Sequence, residues 1–303
     1  MVEEQGGDQA VKIPVYWGCV VPTVQYGYEL SVREIMPRLG VELVELENAS
    51  CCGLPVQSIN MNAAVYLAAR NIAIAEKAGF TELFTVCNGC HLSLFEASHF
   101  LSQDEKLREE VNLLLKEEDL QYAGKIKIWH TIDFLHDVVG ETTIKKTVTH
   151  PLNNLKVAVH YGCHILRPSS VGTVDDPENP RKLDELVEWL GAKSIQYPEK
   201  LDCCGSMLMM SHADAAFTFT GLKLKAVQDL GAEALIDTCP SCQNMFDMRQ
   251  KSAAATTGAK LNLPIIYYTQ LLGLAMGIPE EKLGLNLNRS PIDEFLQKVS
   301  VSS

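Results

Sequence analysis

A chain of 303 residues, 47% of them hydrophobic, is long enough for one large or two ordinary domains and can bury a sizeable core, which excludes disorder over most of its length. Its formal net charge of -12, with no long Lys/Arg block, argues against nucleic-acid binding, since phosphate contacts need positive charge; a small anionic substrate stays open, because a few local cations can hold one. Met1 to Ala10 has no apolar leader segment, and no apolar run reaches the roughly 18 residues of a membrane span, so a cytoplasmic protein with no transmembrane segment is expected.

In chain order, Lys12–Trp17 is a short apolar run and is predicted as a buried strand. Val24–Leu39 follows a proline, ends at Gly40 and is predicted as a helix; Val41–Leu46 is the next strand. Asn62–Ala78, closed by Gly79, is a helix, and Glu82–Val86 a strand. Ser102–Gln121 is a charged helical insertion with one apolar stripe, either a solvated helix or a docking element for a partner. Gly140–Asn154 is polar, contains a proline and is expected to connect two lobes. Then come a strand at Lys156–Tyr161, a Pro/Asp-rich loop at Val171–Pro180, and a helix at Leu183–Leu190 ending at Gly191. A helix at His212–Leu230 ending at Gly231 and a strand at Ala234–Asp237 follow; the tail beyond Gly277 is expected to pack across a lobe. Strands alternating with helices imply an α/β fold with small, mostly parallel sheets flanked by helices.

The order repeats. The cysteines are Cys19, Cys51, Cys52, Cys87 and Cys90, then Cys163, Cys203, Cys204, Cys239 and Cys242, so each half reads C…CCG…CxxC. The CCG and CxxC cysteines are offset by 152 positions between halves, the first cysteines by 144; the Val171–Pro180 loop accounts for the extra eight. Residues 63–79 align without a gap to 215–231, and residues 128–140 answer 265–277 at an offset of 137. A duplication of one lobe follows, with domains at 11–145 and 146–303. The cysteines fall beyond predicted strand ends, the edge of an open α/β sheet where ligands sit, so five could converge in each half.

Ten cysteines in a reducing compartment are poor candidates for a disulfide scaffold, and two matching sets are more than scattered core filler. Thiolates are soft ligands for zinc, copper and iron–sulfur groups. Adjacent cysteines suit an extended group with several metal atoms better than one tetrahedral ion, and Gly53 and Gly205 would let the backbone pass close to it. Iron–sulfur is therefore favoured over structural zinc. A thioredoxin-like role for the CxxC pairs leaves the CCG pairs unexplained. The closely spaced CxxCxxC of ferredoxins is absent, which points to chemistry on a substrate rather than electron carriage alone.

Complete in both halves, this pattern closely resembles the B subunit of heterodisulfide reductases, in its soluble form from methanogenic archaea, within the CCG-domain family; the resemblance runs from about Val11 to the C-terminus. It implies a pseudo-two-fold pair of CCG lobes, each holding a noncubane [4Fe-4S] cluster at its loop edge: one on Cys19, Cys51, Cys52, Cys87 and Cys90, the other on Cys163, Cys203, Cys204, Cys239 and Cys242. It further implies reduction of the coenzyme M–coenzyme B mixed disulfide to two thiols between the clusters. Electrons would come from the reductase's C subunit, which is a cubane iron–sulfur protein. The wider electron-bifurcating assembly of methanogenesis would include the flavoprotein A subunit and a hydrogenase or formate dehydrogenase module. Relatives act in hydroxy-acid and sulfur oxidation, so another CCG oxidoreductase is the alternative; a zinc-structured, non-catalytic component is a further one. His164, where the first half has Val20, is the candidate proton donor, with His160 behind it. Arg167, Lys200 and Arg33 are loosely placed cations for an anionic substrate.

Overall fold

The computed structural model describes residues 11–301; the reading of Met1 to Ala10 lies outside the described residues. Eight strands form two sheets: β1 Val11–Tyr16, β2 Val41–Glu45, β3 Glu82–Thr85, β4 Lys127–His130, β5 Lys156–His160, β6 Lys193–Ser194, β7 Ala234–Asp237 and β8 Ile265–Tyr267. The first sheet runs β2-β1-β3-β4 and the second β6-β5-β7-β8, so the duplication holds at the level of topology. Every pairing is parallel, with β1 on β3 through Val15↔Phe84 and β5 on β7 from Val157↔Ala234 to His160↔Asp237. Parallel strands need crossover helices, and helices on the faces bury the strands; all four residues of β7 are buried.

Three strands lie outside the predicted set. β4, β6 and β8 are four, two and three residues long, too short for an alternation of apolar residues to register. The long helices sit where expected: Met61–Lys77 and Ala213–Asp229 each span 17 residues. The charged insertion differs from the single helix predicted. Helix Asn88–Gln103 runs into it and stops at Asp104, whose side chain accepts from the Leu107 N–H and starts a second helix, Glu105–Leu115. Likewise the stretch expected as a plain connection is helical over Gly140–Thr147.

One apolar core passes through both halves, from Ile13, Val32 and Phe134 to Val159, Ile236 and Tyr268, and each half has a smaller outer core of its own. Helix Tyr26–Ile35 packs against helix Tyr268–Ala275 across the seam. There Tyr28 stacks on Tyr267 with centroids 4.0 Å apart. The Tyr28 hydroxyl lies 2.9 Å from Thr131 Oγ1 and donates to the Thr238 carbonyl at 3.1 Å. No helix among the described residues is long and apolar enough to cross a membrane.

A candidate metal–thiolate site at the seam

The cysteines leave the carboxyl edge of each sheet on equivalent loops. Cys87 and Cys239 each stand immediately before a helix, with backbone angles of -123° and 123° in the first half and -123° and 120° in the second; Cys90 and Cys242 lie in the first turn. Gly53 and Gly205 have φ of +92° and +89°. A Cβ on either would meet a carbonyl oxygen at 2.6 Å, that of Ala64 or Ala216. These glycines therefore press the CC loop onto a helix backbone. Gly18 and Gly162, before the first cysteine of each half, clear room: a Cβ at Gly18 would lie 2.7 Å from Cys90 Sγ, and one at Gly162 2.5 Å from Asn88 Nδ2.

All ten thiols join in one series of side-chain contacts. In the first half it runs from Cys19 through Cys51, Cys52 and Cys90 to Cys87. It crosses the seam from Cys87 to Cys239 and continues through Cys242, Cys204 and Cys203 to Cys163. The series is palindromic: each step in one half has its counterpart in the other, and the crossing joins equivalent residues. None is in a disulfide. The contacts set which sulfurs carry charge. Hydrogen bonding with Cys90 pulls the Cys52 thiol down to about 6, and contact with Cys163 lowers Cys203 strongly, while Cys90 and Cys163 are pushed up in return. Soft, partly ionised donors crowded at two loop edges fit a thiophilic group with several metal atoms in each half.

A cleft opens at the crossing. Leu54 and Asn88 line it from the first half, and Cys163, His164, Cys203, Cys204, Cys239 and Cys242 from the second. His164 reaches across the seam: a Cβ on Gly89 would stand 3.4 Å from its Nδ1. Asn88 Nδ2 crosses the other way and donates to the Tyr161 carbonyl at 2.6 Å. The equivalent of Asn88 is Pro240, which has no such donor.

The halves also differ behind the CC loops. In the first, Tyr16 donates to the Ser50 carbonyl at 2.6 Å, and Asn71 holds Ser50 N–H at 2.8 Å and the Cys51 carbonyl at 3.2 Å. In the second, the equivalent positions are His160 and Lys223, both 1% exposed and bonded at 3.0 Å between Nδ1 and Nζ. A ring nitrogen of His160 lies within 4.8 Å of Cys204 and Cys242 sulfurs, a group able to hold a metal ion. Lys223 is absent from the site residues expected from sequence. Its one signal there is that an Asn and a Lys occupy the same place in the gap-free repeat, on a largely apolar helix face.

The three cations expected to hold an anionic substrate fare differently. Arg33 pairs with Glu29 and Glu45 and lies 4.6 Å over the Trp17 ring. Lys200 is buried against Asp184 at 2.6 Å. Both are already committed to carboxylates. Arg167 is exposed at the rim of a small pocket formed by His160, Cys163 and Lys200.

The family model described as a cysteine-rich domain, CCG, matches residues 13–95 and 157–247. The chain is 36% identical over 292 residues to the B subunit of the Ferredoxin/F(420)H(2)-dependent CoB-CoM heterodisulfide reductase of Methanosarcina acetivorans, covering 95% of this chain and 97% of that protein. It is 34% identical to the 8-methylmenaquinol:fumarate reductase membrane anchor subunit of Wolinella succinogenes, covering 89% of this chain and 94% of that one. Lactate utilization protein A of Bacillus velezensis is 26% identical over 77% of this chain and 89% of its own length. Among solved structures, a hypothetical protein from Helicobacter pylori superposes with a TM-score of 0.73 at 16% identity over 93% of this chain. This chain spans 52% of that protein, and the likeness concerns the fold.

Proposed function

The chain belongs to the cysteine-rich CCG-domain family of oxidoreductase subunits, and from that premise we propose that it is the disulfide-reducing subunit of a heterodisulfide reductase, acting on the coenzyme M–coenzyme B mixed disulfide. The observation that carries the reading is the palindromic series of ten thiols that meets itself at Cys87 and Cys239, beside a cleft that both halves line. A disulfide is two like sulfurs joined, and a site made of two like halves suits it.

In this reading Cys19, Cys51, Cys52, Cys87 and Cys90 hold one noncubane [4Fe-4S] cluster, and Cys163, Cys203, Cys204, Cys239 and Cys242 the other. When bound, the clusters supply the two electrons that split the S–S bond and Lewis-acidic iron for each departing sulfur. The protein does the rest. Leu54 and the buried Cys204, Cys239 and Cys242 side of the cleft would help keep water from the reacting sulfurs, which would strengthen charge interactions there. Reduction consumes two protons with the two electrons, and in this reading His164, in the cleft wall, delivers one. The cubane iron–sulfur partner, the C subunit of the reductase, would deliver electrons. The flavoprotein A subunit and a hydrogenase or formate dehydrogenase module would complete the assembly.

Likeness to the Wolinella protein, nearly as close and nearly as long, favours one second reading: the same double site serving a different electron-transfer reaction within a quinol-linked or hydroxy-acid oxidoreductase. The deciding experiment is an assay of the intact anaerobic complex with the coenzyme M–coenzyme B disulfide. Thiol release above the uncatalysed rate supports the first reading, and a complex with full iron content but no such release replaces it with the second. Zinc in place of iron and sulfide would end both.

A further inference from the structure

Two sites built from one repeat should be electrically alike, and these are not. Behind the CC loop of each half, a side chain from the long helix pins the backbone that leads into the cysteines. Asn71 does this in the first half with a neutral amide. Lys223 does it in the second, donating to the carbonyls of Lys200 at 3.3 Å and Asp202 at 2.6 Å. Its third contact is His160 Nδ1 at 3.0 Å. An ammonium has three N–H donors and no acceptor, and here all three meet acceptors, so the group is a fully satisfied buried cation.

The same count fixes the imidazole. Because Nδ1 accepts from Lys223, the neutral ring carries its proton on Nε2. That nitrogen has no partner within the protein. A ring nitrogen lies within 4.8 Å of the Cys204 and Cys242 sulfurs, and Nε2 carries the ring's unspent N–H. A protonated nitrogen cannot ligate a metal. His160 Nε2 is thereby a free donor at the edge of the second half's thiols, not a metal ligand. Lys223 also lies within Coulombic reach of Cys242, Cys204 and Cys203. The carboxylate of Asp202, which also acts on it, is exposed and so screened by water.

In the first half neither of these two places carries a charge. Tyr16, at the place of His160, spends its hydroxyl proton on the Ser50 carbonyl, and Asn71 is uncharged. Iron–sulfur potentials depend on local net charge and on hydrogen bonds near the sulfurs; a buried cation within Coulombic reach of the thiols favours the state with the extra electron.

We propose that Lys223 and His160 are a positioning pair that makes the second half's cluster the more readily reduced of the two, giving the double site a fixed electrical direction with the electron held preferentially beside His164. The proposal rests on the reading that each half binds an iron–sulfur cluster.

The test is a redox titration, followed by electron paramagnetic resonance, of the full chain prepared anaerobically with its clusters. Cys90→Ser and Cys242→Ser, each disabling one half, assign the signals. The wild type should show two separate midpoints, the higher from the second half. Lys223→Met should lower that midpoint toward the other while iron and sulfide content stay at wild-type levels, and Lys223→Arg should largely restore it. The transplant Tyr16→His with Asn71→Lys should raise the first half's midpoint. If Lys223→Met costs the second half its iron, the transplant decides: a raised first midpoint supports the pair, an unchanged one overturns it. Full cluster content with unmoved midpoints in Lys223→Met overturns the inference and leaves the cluster reading intact. A wild-type chain that takes up no iron and sulfide removes the cluster reading itself.

Discussion

Cys87 and Cys239 touch one another although they belong to different halves, and they are the same residue of the repeat. Two equivalent points in contact lie on the axis that relates the copies. Cys19 and Cys163 are the far ends of the series. Disturbance should therefore spread differently from the centre and from an end. We expect about eight iron and about eight sulfide per wild-type chain, two four-iron groups in all. Cys19→Ser should alter only the first half's spectroscopic signal. Cys87→Ser should alter both, and a Cys87→Ser chain whose second-half signal is unchanged would contradict the shared centre.

Gly53 and Gly205 are held by contact as well as by φ. Alanine at either needs a left-handed backbone and a Cβ at 2.6 Å from a helix carbonyl. The expected cost is roughly 2 kcal/mol or more, with loss of iron from the affected half. Thermal unfolding of Gly53→Ala and Gly205→Ala checks this; a neighbouring surface change such as Met210→Ala, at an almost fully exposed position, should be nearly neutral.

Asp184 has no exposed surface, and it accepts from Lys200, Tyr161, Ser194 and Gln196 at 2.6 to 2.9 Å. Removing the lysine alone leaves a buried carboxylate without its counter-charge. Lys200→Met should cost about 3–5 kcal/mol in denaturant unfolding. Lys200→Met with Asp184→Asn should recover most of it, because no buried charge remains. Equal losses in the single and double variants would mean that the ion pair matters only for packing.

Burial raises the Asp133 carboxyl from 3.8 to about 7 in the folded protein. A raised folded value means that its contribution is fully present below about 3.8 and is lost as pH rises through 7. Asn at this position keeps an acceptor for the His130 N–H, now bonded at 2.7 Å, without the titration. Asp133→Asn should match the wild type near pH 4 and exceed it at pH 8 by on the order of 4 kcal/mol. Unfolding free energies across that range give the slope; parallel curves would refute the assignment.

The repeat of cysteines is legible because spacing survives in the sequence, and the alternation of strands and helices follows from apolar runs closed by glycine. β6 is not legible, since two residues carry no pattern. Lys223 is visible as a letter opposite Asn71 but not as a buried cation. Lysine is almost never fully buried unless paired, and its partners come from two distant places: the loop carrying the Lys200 and Asp202 carbonyls, and a histidine 63 residues away. His164 stands out beside Cys163, yet its approach to Gly89 depends on how the halves pack. Arg33 looks available in sequence because nothing local shows that Glu45, on the next strand, takes it up.

The core that runs unbroken through both halves bears on ancestry. Half a chain would leave the Tyr28–Tyr267 seam bare, so a single-repeat forerunner would have had to cover it with a second copy of itself, as an isologous dimer. In such a dimer every substitution appears twice, and both sites stay identical. Joining the copies end to end lifts that constraint. Histidine opposite valine at 164, and lysine opposite asparagine at 223, are changes only a fused chain can make on one side. Fusion is thus what would let a symmetric cradle tell apart the two ends of a lopsided molecule.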